Sequence, residues 1–400
     1  MSWPAYPLDQ LGTVSRGRSR HRPRDAAHLY GGPYPFVQTG DVKKAPLYLN
    51  EYTQTYSEAG LAQSKIWPKG TLCITIAANI AETAILDIEA CFPDSIIGFI
   101  ADPEKADTKF IKYLFDAILK QKMTRVSHGA AQDNLSQGKL LSFEFPVPNV
   151  VEQKRIASIL SAYDDLIENN RRRIALLEET ARLLYGEWFV HFRFPGHEHV
   201  KIVDGVPEGW TERKLSDLAT TNPESYKKGK LPETLSYIDI SSVSRGSINY
   251  KTDMLAADAP GRARRIAKHG DTIWSNVRPN LRAYSIVLNP DEKDVFSTGF
   301  TILRAKSVGK YFLYFLVTAD KFVDHLVNHA TGTSYPAVRP EDFEKADAVI
   351  PPDELIQAFE QFCEPIFRQI ESLAKASREC AQARDLLLPR LMDGRLEVAA

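Results

Sequence analysis

The chain has 400 residues, 44% hydrophobic and 25% charged, with four cysteines and a formal net charge of −1. That is the composition of an ordinary soluble protein of two or three domains, with no apolar run approaching the length of a membrane span. The near-zero charge neither proposes nor excludes nucleic acid, because local patches decide that. The opening MSWPAYPLDQL has no basic stretch followed by an apolar run, so no secretory signal is expected. Cys73, Cys91, Cys363 and Cys380 lie far apart in no CxxC or zinc spacing. They point to a reducing cytoplasm rather than a disulfide framework.

In chain order, residues 1–30 are polar and basic, with arginines alternating from Arg16 to Arg24 in SRGRSRHRPRD. This stretch reads either as a solvated flexible loop or as a phosphate-contacting arm. Strand-like runs follow at Pro35–Thr39 and Gly70–Ala77, then a short amphipathic helix at Thr108–Leu119. The polar loop HGAAQDNLS and a strand in LLSFEFPVP come next. From about Glu152 to Phe194 the spacing predicts one long helix. Leu160, Tyr163, Ile167, Asn170, Ile174, Leu177, Ala181, Leu184 and Trp188 recur at steps of three and four, the coiled-coil period. Asn149 and Glu152 suit its start as a capping box, and Pro195-Gly196 ends it. His191, in its aromatic end, reads as a packed side chain. A new unit opens at PEGWTERKLSDLA, 207–219, where Trp210 and Leu215 read as core. Strands are expected at Leu235–Ile240, Thr272–Trp274, Tyr284–Leu288 and 299–305, an amphipathic run at Tyr311–Val317, then the loop ATGTSYPAVR and DAVIPP. A second long helix starts after a cap at Asp353 and is expected to kink or end at Pro389.

The two halves repeat. Gly70 answers Gly270, Phe110–Leu119 answers Tyr311–Val317, Gly129-Ala130-Ala131 answers Gly332-Thr333-Ser334, and FPVP answers VIPP, at a shift of roughly 200 to 204. The long helices continue the register: Ile156/Phe359, Ile159/Phe362, Tyr163/Ile366, Ile167/Ile370, Leu184/Leu387 and Trp188/Leu391. The expected fold is α+β: two mixed α/β domains joined by two long antiparallel coiled-coil helices, with an internal pseudo-twofold repeat. The boundaries read as 1–150 for the first domain, 151–206 for the central helix and linker, 207–352 for the second domain and 353–400 for the C-terminal helix. Ser377 and Arg384 fall where the first helix has Ile174 and Ala181. Either the pairing frays there or those positions touch another subunit.

Two similar heads on a rigid rod make a ruler, which suits a ligand with two sites at a set spacing, and double-stranded DNA is such a ligand. The candidate DNA contacts in the first head are Arg16, Arg18, Arg20, Thr75, Asn79, Arg125, His128, Gln132 and Asn134. In the second they are Lys227, Lys228, Lys230, Arg262, Arg264, Arg265, Asn276, Arg278, Asn280, Arg282, Thr333, Ser334 and Tyr335. These side chains include those that read base edges and grip phosphates. No catalytic residue and no metal ligand set emerges. There is no GxGxxG, no GxxxxGK[ST] and no Asn-Pro-Pro-Tyr; Asn222-Pro223-Glu224-Ser225 departs from the last. Asp204 with Glu212 and Lys214 sits at a domain opening and makes a poor nuclease set. A two-headed protein scaffold without DNA, or an enzyme whose motif is disguised, are the competing readings.

On the residues of 152–196, 207–219, GDTIWSNVRP (270–279), STGFTILRA (297–305) and LLLPRLMDGRLEV (386–398), the chain resembles the specificity subunit of type I restriction-modification systems over nearly its whole length. The resemblance implies two target-recognition domains, each followed by a helical region, that read the halves of a split DNA site across an unread gap. It implies no activity and no cofactor in this chain. Two methyltransferase subunits using S-adenosylmethionine, and restriction subunits using ATP and Mg2+, would be recruited. The outer helix faces and the aromatic end Trp188–Phe194 are then expected to dock the methyltransferase subunits.

Overall fold

The computed structural model describes residues 3–119, 135–227, 229–396 and 398. It divides into two compact units, Met1–Arg171 with Lys375–Ala400, and Arg172–Ala374.

The first unit carries strands β1 (Ala5–Pro7), β2 (Gly12–Arg16), β3 (Tyr30–Phe36), β4 (Tyr48–Leu49), β5 (Gln54–Tyr56), β6 (Ile66–Trp67), β7 (Leu72–Thr75), β8 (Thr83–Leu86), β9 (Ala90–Cys91), β10 (Ile96–Ala101) and β11 (Glu144–Pro146). They form a pair β1-β11, a five-stranded sheet β2-β10-β7-β8-β4 and a four-stranded sheet β5-β3-β9-β6. The strands β7 and β8 are buried throughout, so apart from Thr75 and Thr83 their side chains are apolar on both faces instead of alternating.

The second unit carries β12 (Ile202–Val203), β13 (Val206–Pro207), β14 (Thr211–Lys214), β15 (Ala219–Thr221), β16 (Glu224–Ser225), β17 (Thr234–Ile238), β18 (Val243–Ser244), β19 (Ser247–Ile248), β20 (Thr252–Leu255), β21 (Ala263–Ile266), β22 (Thr272–Ser275), β23 (Tyr284–Ile286), β24 (Asp294–Ser297), β25 (Phe300–Ala305) and β26 (Asp347–Ile350). Besides the hairpins β12-β13 and β18-β19, it has the pair β14-β26, the sheet β15-β25-β22-β23 and the sheet β16-β21-β24-β17-β20.

The repeat therefore extends to topology. The order β2-β10-β7-β8 matches β15-β25-β22-β23, and β5-β3-β9-β6 matches β20-β17-β24-β21. Each second sheet has one parallel pair at the equivalent place, β3 with β9 and β17 with β24. Single hydrogen bonds correspond as well. The N–H of Gly70 donates to Leu86 O at 2.8 Å, and that of Gly270 to Val287 O at 2.8 Å. Both glycines hold φ of +87°, which a side chain would oppose.

The central helix runs Val150–Tyr185 and passes into a π turn at Gly186–Val190, ending short of the expected Phe194. Asn149 caps it, its Oδ1 accepting the N–H of Glu152 at 3.0 Å. The C-terminal helix runs Asp353–Met392, so Pro389 does not end it. At 1.5 Å per residue these are rods of about 54 and 60 Å. In the first unit the opening turns of one helix (Ile156, Ala157, Leu160) and the closing turns of the other (Leu387, Leu391, Met392) share one core. In the second unit Ala181, Tyr185 and Phe189 share a core with Phe359, Cys363 and Phe367. The helices thus run in opposite directions through each unit.

Four local expectations change. LLSFEFPVP begins as a helical turn, Gln137–Leu141, capped by Ser136, before β11. The run at Pro35–Thr39 is the end of β3, and a helix starts at Thr39. His191 is exposed and not packed. The aromatic end of the central helix is largely core: Tyr185, Phe189 and Phe194 are buried, and Phe194 lies against Trp210 at 5.5 Å between ring centroids. What the helix leaves outside is a stripe of Leu176, Leu183 and Val190, seven residues apart, all more than half exposed.

Arg384 resolves the polar middle of the C-terminal seam. Its guanidinium forms an ion pair with Asp164, to which Tyr113 also donates its hydroxyl. Both partners lie in the first unit, so at Arg384 the seam neither frays nor waits for another subunit. Burial, then the Asp164 charge, pushes the Tyr113 hydroxyl far up, keeping it a donor.

Candidate nucleic-acid interface

In the second unit, β22 ends in a turn fixed by its neighbours. Asn276 donates its N–H to Gly299 O at 2.8 Å, and its side-chain carbonyl accepts the Thr301 hydroxyl at 2.6 Å. Its own carbonyl accepts Val338 N–H at 2.9 Å. Asn276 is thus a positioning residue rather than the base contact its type suggested. Beyond it, Arg278 and Arg282 hold φ of +52° and +55°, on either side of the turn Pro279–Leu281. A residue with a Cβ costs about 1–2 kcal/mol in this left-handed region, so the surrounding bonds must impose it.

The loop 330–337 lies alongside this turn. Val277 bridges Ala337, and the Arg278 N–H donates to Pro336 O at 2.7 Å. The Arg278 guanidinium sits over the Tyr335 ring at 4.6 Å and donates to Ser334 O at 3.2 Å. Tyr335 and Leu281 are 69% and 62% exposed, and Asn280, Thr333 and Ser334 are exposed beside them. Of the two arginines, Arg282 is anchored by Asp320 at 2.6 Å, while Arg278 remains at the surface. Leu281 is the one exposed side chain here that sequence reasoning missed; nothing in a bare leucine signals that a left-handed turn will present it.

A basic edge is built from β16 and β21. Ser225 pairs with Arg265, and Tyr226 N–H donates to Arg264 O at 2.8 Å, which sets Lys227 and Lys230 beside that strand. Lys227 and Lys230 are exposed; Arg264 is half-buried. Arg265 is also half-buried, with one guanidinium nitrogen donating to Ser225 Oγ at 3.2 Å and its Nε unpartnered; burial draws its pKa down. Arg262 belongs to a different arrangement. It pairs with Asp239 at 2.6 Å and donates to the Tyr237 hydroxyl at 3.0 Å, so although exposed it is tied down at the surface instead of standing free. Lys228 lies outside the described residues.

In the first unit the arginine arm is not a flexible loop. Its backbone is held by Gly17 N–H to Ile96 O at 2.9 Å, Arg18 N–H to Phe92 O at 3.0 Å, and Arg20 N–H to Gln63 Oε1 at 2.5 Å. Arg16 donates to Asp94 O at 2.9 Å, and Arg24 pairs with the Asp94 carboxylate at 2.9 Å. Arg18 and Arg20 keep exposed side chains. The loop holding Asp94 also receives the turn after β7, through Ile76 N–H to Ser95 O at 3.0 Å. Arm and turn therefore share one end of this head. Thr75 is fully buried, its hydroxyl bonded to Asn79 O and accepting Glu82 N–H at 3.0 Å. It closes the turn and does not face a ligand, contrary to expectation. Asn79 is half-buried, accepting Lys43 Nζ at 3.4 Å. Arg125, His128, Gln132 and Asn134 lie outside the described residues.

Among the described residues no group of three His, Cys, Asp or Glu side chains could hold a metal ion, and no helix is long and apolar enough to cross a membrane. Lys214, of the poor nuclease set, pairs with Asp347 at 2.6 Å.

Residues 2–179 match the family model for the type I restriction modification DNA specificity domain. The chain is 23% identical over 415 aligned positions to the type I restriction enzyme MjaIX specificity subunit of Methanocaldococcus jannaschii, covering 99% of this chain and 94% of that one. It is 21% identical to the type I restriction enzyme HindI specificity subunit of Haemophilus influenzae, over 98% and 99% of the two chains. The crystal structure of the type I restriction-modification S subunit from M. genitalium shares the fold, with a TM-score of 0.54 and 17% identity over 97% of this chain and 96% of that one. Residues 2–179 thus carry the type I restriction modification DNA specificity domain, and over nearly its whole length the chain is similar to type I restriction enzyme specificity subunits.

Proposed function

We propose that this chain reads a two-part DNA site, one half with each head, and performs no chemistry itself. The observation that carries the reading is the duplication. The same strand order occurs in both heads, each with a turn of two left-handed residues after its central strand, whereas the side chains on that turn differ. A repeated frame with unlike surfaces suits two unlike half-sites. The long helices would set the length of the unread gap, one helical turn of about 5.4 Å being about one and a half base-pair steps. Methyltransferase subunits, two in the simplest symmetric assembly, would use S-adenosylmethionine, and restriction subunits would use ATP and Mg2+. The exposed stripe Leu176, Leu183 and Val190 supports docking of a partner on the outer face of the central helix. A cytoplasmic location follows from a DNA ligand.

The test is a map of methylated adenines in DNA from a host with and without this chain. A split motif that disappears without the chain supports the reading, and one helical turn inserted after Asn169 should lengthen the gap. An unchanged map without the chain contradicts it. The purified chain alone, given S-adenosylmethionine and magnesium, should neither methylate nor cut.

A further inference from the structure

Each head leaves its buried central strand through a turn that holds two left-handed residues, three apart in the first head and four apart in the second. Ala78 and Ala81 hold φ of +61° and +64° after β7, as Arg278 and Arg282 hold +52° and +55° after β22. The anchors correspond too. Ile76 N–H donates to Ser95 O and Asn276 N–H to Gly299 O, while the hydroxyl at the strand's end closes each turn at its own distance, Thr75 on Asn79 O four residues on and Ser275 on Val277 O two residues on. Glycine, which would adopt these angles without cost, occurs at none of the four positions. The strand exit and its backbone anchor are kept while the turn lengthens by one residue and its side chains change, from Ala78-Asn79-Ile80-Ala81 to Arg278-Pro279-Asn280-Leu281-Arg282.

We propose that this left-handed turn is the base-reading element of each head, and that in the second head Arg278, oriented by Tyr335, reads a guanine of its half-site. The proposal rests on the DNA-reading function above. A guanidinium lying over an aromatic ring keeps its N–H edge free in one plane. Two parallel donors in that plane match O6 and N7 of guanine in the major groove. Tyr335 and the Ser334 carbonyl restrict the rotamers of an otherwise flexible side chain, so less freedom is lost on binding. Arg282, the other arginine of the turn, is tied to Asp320, which leaves Arg278 as its reader. The exposed Leu281 offers an apolar contact beside it, of the kind a thymine methyl accepts.

The experiment uses the full chain assembled with its methyltransferase partners and reads the methylated motif genome-wide. Arg278→Ala and Arg278→Lys should each relax one guanine position of one half-site by about ten- to a hundredfold, leaving the other half-site unchanged. Tyr335→Phe should keep the motif, and Tyr335→Ala should weaken the same position. Assembly and melting temperature of each variant establish that it is folded, and Arg278→Lys serves if Arg278→Ala does not fold. An unchanged motif, or an even loss of methylation at every site without change of motif, overturns the proposal. If exchange of the whole second head rewrites that half-site while Arg278→Ala does not, the DNA-reading function stands and only the assignment of Arg278 fails.

Discussion

Replacing Arg384 with methionine isolates the polar contact inside the first unit's helix pairing. Asp164 has only 5% of its side chain exposed, and the guanidinium and the Tyr113 hydroxyl are its partners. Removing one member of a buried pair typically costs 3–5 kcal/mol, since the other charge stays buried. Arg384 is 24% exposed and also reaches Asp385 at 2.8 Å, so solvent and the second carboxylate reduce the figure to about 2–3 kcal/mol. For a unit of this size each kcal/mol moves the midpoint by about 2–4 °C, giving a fall of roughly 4–12 °C in calorimetry. Asp164→Leu alone should cost a similar amount, because it strands the Tyr113 hydroxyl. Combining Arg384→Met, Asp164→Leu and Tyr113→Phe should recover most of the loss, as well-packed apolar replacements of buried pairs do. Coupling in the double-mutant cycle should then exceed about 1 kcal/mol. A loss under about 1 kcal/mol for Arg384→Met, with no coupling to position 164, would refute the buried-pair account.

Three further outcomes follow from the structure. Phe359 is fully buried among Tyr185, Phe189 and Phe315, so Phe359→Ala should destabilise the second unit by about 3–5 kcal/mol in denaturant unfolding. Hydrogen bonds from Lys268 and then Arg304 hold the Glu224 carboxyl below its usual value of 4.5, so its contribution is present above that pH and is lost as pH falls through and below it. Glu224→Gln should flatten that acid limb of the stability curve by up to one proton, and an unchanged slope would exclude Glu224 as its source. Replacing Lys227, Lys230 and Arg264 with alanine should weaken DNA binding by the assembled complex about equally for all sequences, and every phosphate no longer gripped should lower the salt slope by about one. A changed motif instead of a changed salt slope would move those residues from phosphate to base contacts.

The repeat and the helices were legible because their signals are periodic. Leu160, Ile174 and Leu184 recur at helical spacing, and Gly70 and Gly270 mark the same turn in both halves. The fate of individual cations was not legible. Arg262, Arg278 and Arg282 are alike in sequence, yet Asp239 and Asp320 claim two of them through contacts that only the folded chain brings together. Arg384 and Asp164 are 220 residues apart, so a polar residue in an apolar seam looked like a weak point when it is a paired one. Thr75 and Asn276 have side chains that read bases in other settings, and here they are turned inward to close turns. The aromatic end of the central helix looked like a docking surface because Trp210 and Phe312, which cover much of it, come from later in the chain.

The central claim is that each head reads its own half of the site. Exchanging residues 1–150 for the first head of a known type I specificity subunit, and mapping methylated adenines with the partners present, tests it most directly. One half of the motif should change to that of the donor while the other half and the gap stay the same. A change in both halves, or in neither, would contradict the account.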